Sequence, residues 1–316
     1  MAGSYGPCRL GKYSIEQIRL LRNMGYNLPI STTVSNNAYR DLNLGSGFER
    51  LAWSGIVATD YLMKLVWRTR PYEKQKGTVD AAFDEYLEMI GDRIQKKEPF
   101  NDLLTQAVTA FEKLKYPDQP RNPLVGINGE IYLRSNRFSN CDLERVCEEA
   151  GLEVVVSPMG EWMKYTSYRN LEDAVRDKKL KKIAVSAIKK YVQEHDETAI
   201  AAPFKHVLDA EEPSTSELLK LTSRYFSPKC GSEAVLSIGS GIEWMEDPAF
   251  SGVISVMPHG CMPGGIVAAM AETFSSQFHK PWISLTYDGF METNNLSRIN
   301  AFAEVIRYCG DENTVQ

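Results

Sequence analysis

From residue 124 onward, short apolar runs rich in β-branched residues alternate with longer amphipathic ones, and no other feature narrows the fold so far. The short runs predict strands over 124–133, 153–157, 253–257 and 282–287. The longer ones predict helices over 142–150, several from about 171 to 226, then 265–278 and 296–308. Strands separated by helices pair in parallel, because each crossover must carry the chain back to the starting edge of the sheet. This half of the chain is therefore expected to be α/β.

The first half reads differently. Ser14 with Gln17 three residues later has the form of a capping box and predicts a helix from there to about Met24, with Gly25 closing it. Residues 28–34 read as a short strand. Helical periodicity then covers 48–70, where Pro71 ends it, followed by 78–96 and 100–114. Between Tyr116 and Pro123 stand three prolines, which suit neither helix nor sheet interior. A division follows from this, with a helix-rich α/β lobe over 1–118 and a second, Rossmann-like lobe over 119–316.

Composition limits what the chain can do. At 43% hydrophobic and 24% charged residues the 316-residue chain resembles an ordinary globular protein and is long enough for about two domains. A formal net charge of -5 argues against a nucleic-acid surface, which needs a cationic footprint. The dense basic run at Lys178, Lys179, Lys181 and Lys182 reads as a solvated helix face. No signal segment and no apolar run of about 20 residues is present, so a cytoplasmic location with no membrane contact is expected. There the six cysteines, Cys8, Cys141, Cys147, Cys230, Cys261 and Cys309, would remain thiols. No Cys-x-x-Cys pair, His-Glu-x-x-His or Gly-x-Ser-x-Gly motif occurs, which disfavours zinc ribbons, zinc hydrolases and serine acyl transfer.

Two cysteines share a local setting. Cys8 lies between Gly6 and Gly11 ahead of a helix, and Cys261 lies between Gly260 and Gly264 where a strand gives way to a helix. The C-terminal edge of a parallel strand collects ligands, and the free N–H groups of a following helix favour an anionic sulfur. Flanking glycines let the backbone close around a bulky anion. Spacing alone leaves three readings open: a metal ligand, a nucleophile, or a small residue filling a tight turn. His259, two residues before Cys261, is the nearest candidate base for thiol chemistry. Cys230 sits in a loop able to reach a site, whereas Cys141 and Cys147, six apart, do not share a helix face. Ser237-Ile238-Gly239-Ser240-Gly241 is half of a dinucleotide loop and, lacking the third glycine, supports no nucleotide. Arg134, Asn136 and Arg137 follow a strand and could orient a phosphate, although loop residues there are more often solvated.

Several segments together resemble a known family. Gly6-Pro7-Cys8-Arg9-Leu10-Gly11-Lys12-Tyr13, the stretch from Trp53 to Thr69-Arg70-Pro71-Tyr72-Glu73, Pro123 through Tyr132, Glu212-Pro213-Ser214-Thr215 and Gly260-Cys261-Met262-Pro263-Gly264 are similar to the C-terminal portion of large CoA-substrate-specific enzyme activases. These are relatives of the 2-hydroxyacyl-CoA dehydratase subunits. The resemblance implies two Rossmann-like lobes with parallel sheets flanked by helices and a cleft between them. It implies an Fe–S cluster, [4Fe–4S] or larger, held in that cleft by Cys8 and Cys261, with Gly6, Gly260 and Gly264 making room for it. It implies a partner too, an ATP-hydrolysing Fe–S activator that delivers low-potential electrons. Members of the family carry a further cluster cysteine upstream in a Cys-x-Pro setting, and seven residues precede Cys8 here. Cys230 or a partner chain is expected to supply that ligand, and an oligomer is expected. No ATP hydrolysis is expected, since the activator's ATPase portion has no counterpart. Whether the chain is itself an enzyme, of dehydratase or reductase type, stays open. The alternative is a non-catalytic subunit or scaffold that has lost its cluster.

Overall fold

In a computed structural model, residues 10–28, 47–208, 212–289 and 294–314 are described. The chain divides into two compact units, Met1–Ala52 and Trp53–Gln316.

In the first unit, α1 (Leu10–Asn23) starts four residues before the expected cap, so Ser14 lies inside the helix rather than at its end. Its close follows expectation. Gly25 takes φ +86°, Tyr26 N donates to Leu21 O at 2.9 Å, and Gly25 N donates to Arg22 O at 3.0 Å, which satisfies the last carbonyls. The strand expected over 28–34 falls outside the described residues beyond Leu28. The helix α2 (Phe48–Thr69) carries the chain onward, and a short 3-10 turn (Arg70–Tyr72) ends it at Pro71.

The second unit is α/β. Helices α3 (Thr78–Lys96) and α4 (Asn101–Leu114) pack with the inner face of α2 around Val57, Leu62, Leu65, Leu104 and Phe111. Then comes a four-stranded, all-parallel sheet in the order β2-β1-β3-β4, with β1 (Leu124–Gly129), β2 (Glu153–Val156), β3 (Phe250–Pro258) and β4 (Trp282–Tyr287). The β1 side chains Val125 and Ile127 form a core with α6 (Leu143–Glu149) and α12 (Asn295–Thr314). The other sheet face meets α10 (Ser232–Glu246) and α11 (Met262–Phe278), where Ile238, Ile242, Val267, Phe274 and Trp282 cluster. Between β2 and β3 the chain builds α7 (Met159–Arg176), α8 (Leu180–Ala201) and α9 (Thr215–Thr222), the last opened by a Ser214–Glu217 capping box.

Three expectations are corrected here. The strand expected over 124–133 stops at Gly129, whose φ of +120° breaks the extended run. Glu130 then caps a one-turn helix, α5 (Ile131–Ser135), by accepting Leu133 N at 2.8 Å. The helices expected from about residue 171 begin at Met159. The Ser237–Gly241 segment is the buried middle of α10 rather than a loop. A Cβ on Gly239 would come within 2.6 Å of Leu218 O, and one on Gly241 within 2.0 Å of the Trp282 ring, so these glycines serve close packing.

Buried polar groups tie the layers together. Asn128 donates to Ser237 O at 2.9 Å and accepts Ser255 Oγ at 2.6 Å, and Ser255 Oγ in turn accepts Trp282 Nε1 at 2.9 Å. Arg70 reaches Glu148 at 2.8 Å, Asp80 at 3.1 Å and Glu144 at 3.3 Å. Tyr72 Oη donates to Glu153 at 2.7 Å and accepts Asn122 N at 2.8 Å, pinning the proline-bearing connection to β2. In the stretch 69–73, two of the residues that carry the family resemblance are thus bound into the fold.

Candidate functional site

The strand order locates the site. From β1 the chain moves to β2 on one side, then crosses to β3 on the other, so the connections leaving β1 and β3 diverge. A crevice outside the C-terminal ends of two such strands is where open α/β sheets bind ligands. Gly129 and Glu130 leave β1 there, and His259, Gly260 and Cys261 leave β3.

The junction after β3 is tightly built. His259 N donates to Tyr287 O at 2.8 Å, Gly260 takes φ +71°, and Cys261 N donates to Pro258 O at 3.1 Å. Cys261 is the N-cap residue of α11, with Gly265 N bonded to its carbonyl at 2.9 Å and a proline in the first turn. A Cβ on Gly264 would stand 2.6 Å from that of Met257, which is why only glycine lets the helix sit this close to the strand. On the neighbouring strand a Cβ on Gly129 would stand 2.0 Å from Val256 O. Half-buried Cys261 shares a small hollow with Glu130, Glu233, Ser237, Met257 and Gly264.

The hollow is acidic, with Glu130 and Glu233 in its lining. Burial, reinforced by the Glu130 charge, pushes the Glu233 carboxyl up to about 7, while Ile131 N donates to it at 3.2 Å. Arg134 is buried rather than solvated, which corrects the expectation for it. It donates to Pro158 O at 2.9 Å, Gly129 O at 3.3 Å and Glu161 at 3.4 Å. Burial also lifts Glu161, against the pull of Arg134.

A second set of buried charges stands on α2. Asp60 accepts Gly160 N at 2.8 Å and Met159 N at 3.1 Å at the start of α7, yet burial raises its carboxyl to about 6. Four residues on, Lys64 pairs with Glu212 and lies 4.8 Å from the Tyr61 ring centre, and burial lowers its amine to about 8. Glu243 on α10 is likewise raised by burial to about 7. Sequence reasoning passed over these groups. The available signal was charge at positions where α2 and α10 otherwise carry apolar residues.

Of the residues expected at the site, Cys261, Gly260 and Gly264 meet at one strand-to-helix junction. Cys8 and Gly6 fall outside the described residues. Cys230 is exposed in a 3-10 turn (Pro228–Cys230) just before α10, whose Glu233 borders the hollow. Cys147 is in the core, where burial drives its thiol upward, and Cys141 is exposed. Among the described residues no group of three or more His, Cys, Asp and Glu side chains is placed to hold a metal ion. No helix among them is long and apolar enough to cross a membrane. No family model, curated protein or solved structure matches this chain.

Proposed function

We propose that the chain is an Fe–S redox component of the 2-hydroxyacyl-CoA dehydratase type. In this reading it has two Rossmann-like lobes and takes low-potential electrons from an ATP-hydrolysing activator in the cytoplasm. The observation that carries the reading is the position of Cys261, an N-cap thiol at the C-terminal edge of an inner parallel strand, beside the point where the crossovers diverge. The donor suits a cluster. Sulfur is the ligand Fe–S centres take, and a helix N-terminus favours its thiolate. Cys8 would be the second ligand, with Cys230 or a partner chain's thiol completing the set. A cluster held there would supply one-electron chemistry. Around it Glu130 and Glu233 would set the local field, and Glu233 would be a carboxyl able to hold a proton near neutrality.

The second reading is a subunit or scaffold without a cluster; among the described residues, which do not include Cys8, no group of three metal-binding side chains forms. Iron and sulfide analysis with electron paramagnetic resonance on anaerobically prepared full chain separates the two. The redox reading expects brown protein whose iron is lost on Cys261→Ala or Cys8→Ala. Colourless, iron-free, folded protein from that preparation would leave the scaffold reading in its place.

A further inference from the structure

Where α2, α7 and α8 meet, the second unit holds a cavity of about 430 Å³ that no step described so far uses. Lys190, Glu194, Glu197 and Ala201, one face of α8, form its wall, and the first residues of α9 close one end. The volume is that of a small-molecule pocket, equal to the space of about fourteen waters at about 30 Å³ each. We propose that it binds a small monocarboxylate with an apolar body, the carboxylate on Thr215 at the start of α9 and the body against Tyr61, Phe204 and Leu208.

Thr215 is the group that calls for a ligand. It is 8% exposed and lines the cavity, yet among the described residues its hydroxyl has no hydrogen-bond partner. A buried hydroxyl left unpaired is costly, so a group that the folded chain does not itself supply belongs there. The Ser214–Glu217 capping box satisfies Ser214 N and Glu217 N, which leaves the N–H groups of Thr215 and Ser216 without an acceptor inside the helix, and both residues line the cavity. Donors at the positive end of a helix select an anion. The rest of the lining limits its charge. Glu212 pairs with Lys64, Glu197 with Lys164 at 2.8 Å and Glu194 with Lys190 at 3.6 Å, so no carboxylate is left over for a cationic ligand. The same three carboxylates disfavour a phosphate dianion, whereas a single carboxylate matches the free donors. The apolar part of the cavity, where the Tyr61 and Phe204 rings lie 5.1 Å apart beside Ala201 and Leu208, receives a hydrocarbon body.

The site involves no cluster, so iron-free full chain serves for the test. Calorimetric titration with hexanoate, which is small enough for the cavity, is expected to show one site with Kd of order 0.1–1 mM. Hexylamine, 1-hexanol and inorganic phosphate are expected to bind at least about tenfold more weakly. Thr215→Val keeps the side chain's shape and removes a hydroxyl that the protein leaves unpaired, so the variant melts at or above the parent temperature. It weakens hexanoate by at least about fivefold and leaves 1-hexanol unchanged. Thr198→Trp, at an exposed position of the α8 wall, fills the cavity and abolishes hexanoate binding while circular dichroism matches the parent. No binding up to about 10 mM hexanoate, equal hexanoate affinity in parent and either variant, or tighter binding of hexylamine or phosphate would each overturn the proposal. A Thr215→Val melt below the parent would also overturn it, because the hydroxyl would then already be paired.

Discussion

Arg70→Met removes the cation that the largely buried Glu144 and Glu148 share with the partly exposed Asp80, while keeping most of the side chain's apolar stem. The Arg70 side chain is 3% exposed, Glu144 6% and Glu148 10%, so water cannot replace it. Breaking a buried pair from one side costs about 3–5 kcal/mol, because the charges left behind stay desolvated. In a unit of this size 1 kcal/mol moves Tm by about 2 °C, so the variant should melt about 6–10 °C below the parent near neutral pH. The pH dependence carries a sign. In the parent, burial raises Glu148 against the pull of Arg70. Burial also acts upward on Asp80, but hydrogen bonds from Arg145 and Arg70 outweigh it and hold Asp80 below its usual value. Without Arg70 the carboxyls rise further, so the variant's folded state takes up protons before its unfolded state does. Acid therefore relieves the variant more than the parent, and the Tm gap should shrink toward about pH 4.5. Calorimetric melts at matched ionic strength read this directly. A gap under about 2 °C at neutral pH, or one that widens with acid, would refute the reasoning.

Glu233→Gln keeps the acceptor for Ile131 N and removes a carboxyl raised to about 7. A raised carboxyl favours folding below its unfolded pKa, and that benefit is lost as pH climbs through about 7. The variant should accordingly gain up to about 3 kcal/mol over the parent at about pH 8 and nothing near pH 4, by chemical denaturation; a pH-independent difference would contradict the assignment. Two glycine substitutions should act in opposite directions. Gly265→Ala meets no atom within 4 Å in the first turn of α11 and should stabilise by roughly 0.5–1 kcal/mol, whereas Gly239→Ala meets Leu218 O at 2.6 Å and should cost about 1–3 kcal/mol. Equal melting temperatures for the pair would show that neither packing reading holds. Glu130→Ala removes the cap of α5 and should cost about 1 kcal/mol, read as faster amide exchange at Leu133.

Much of the second unit was legible because its signals are local. The helix expected over 78–96 and the strand over 282–287 have those bounds, since a clean period and nearby breakers define both ends. The strand-to-helix step around Cys261 was legible for the same reason: glycines and a proline follow an apolar run. The middle of α10 was not. Gly-Ser-Gly weakens a helix in isolation, and only contact with Leu218 and Trp282 makes small residues favourable there. Arg134 was hidden in a similar way, because a cation after a strand looks solvated until Glu161 and two carbonyls are folded over it.

Patterns of apolar spacing, glycine and proline are properties of neighbouring residues, so the order of helices and strands and the thiol at the end of β3 could be read from the chain itself. The tertiary structure decided which strands lie side by side. Placing β3 across β1 from β2 created the crevice and brought Glu130, Glu233 and Cys261 to one hollow. It also decided which charges lose their water. The raised carboxyls of Asp60, Glu233 and Glu243 and the lowered amine of Lys64 come from desolvation by segments distant in the chain, and no local pattern encodes that.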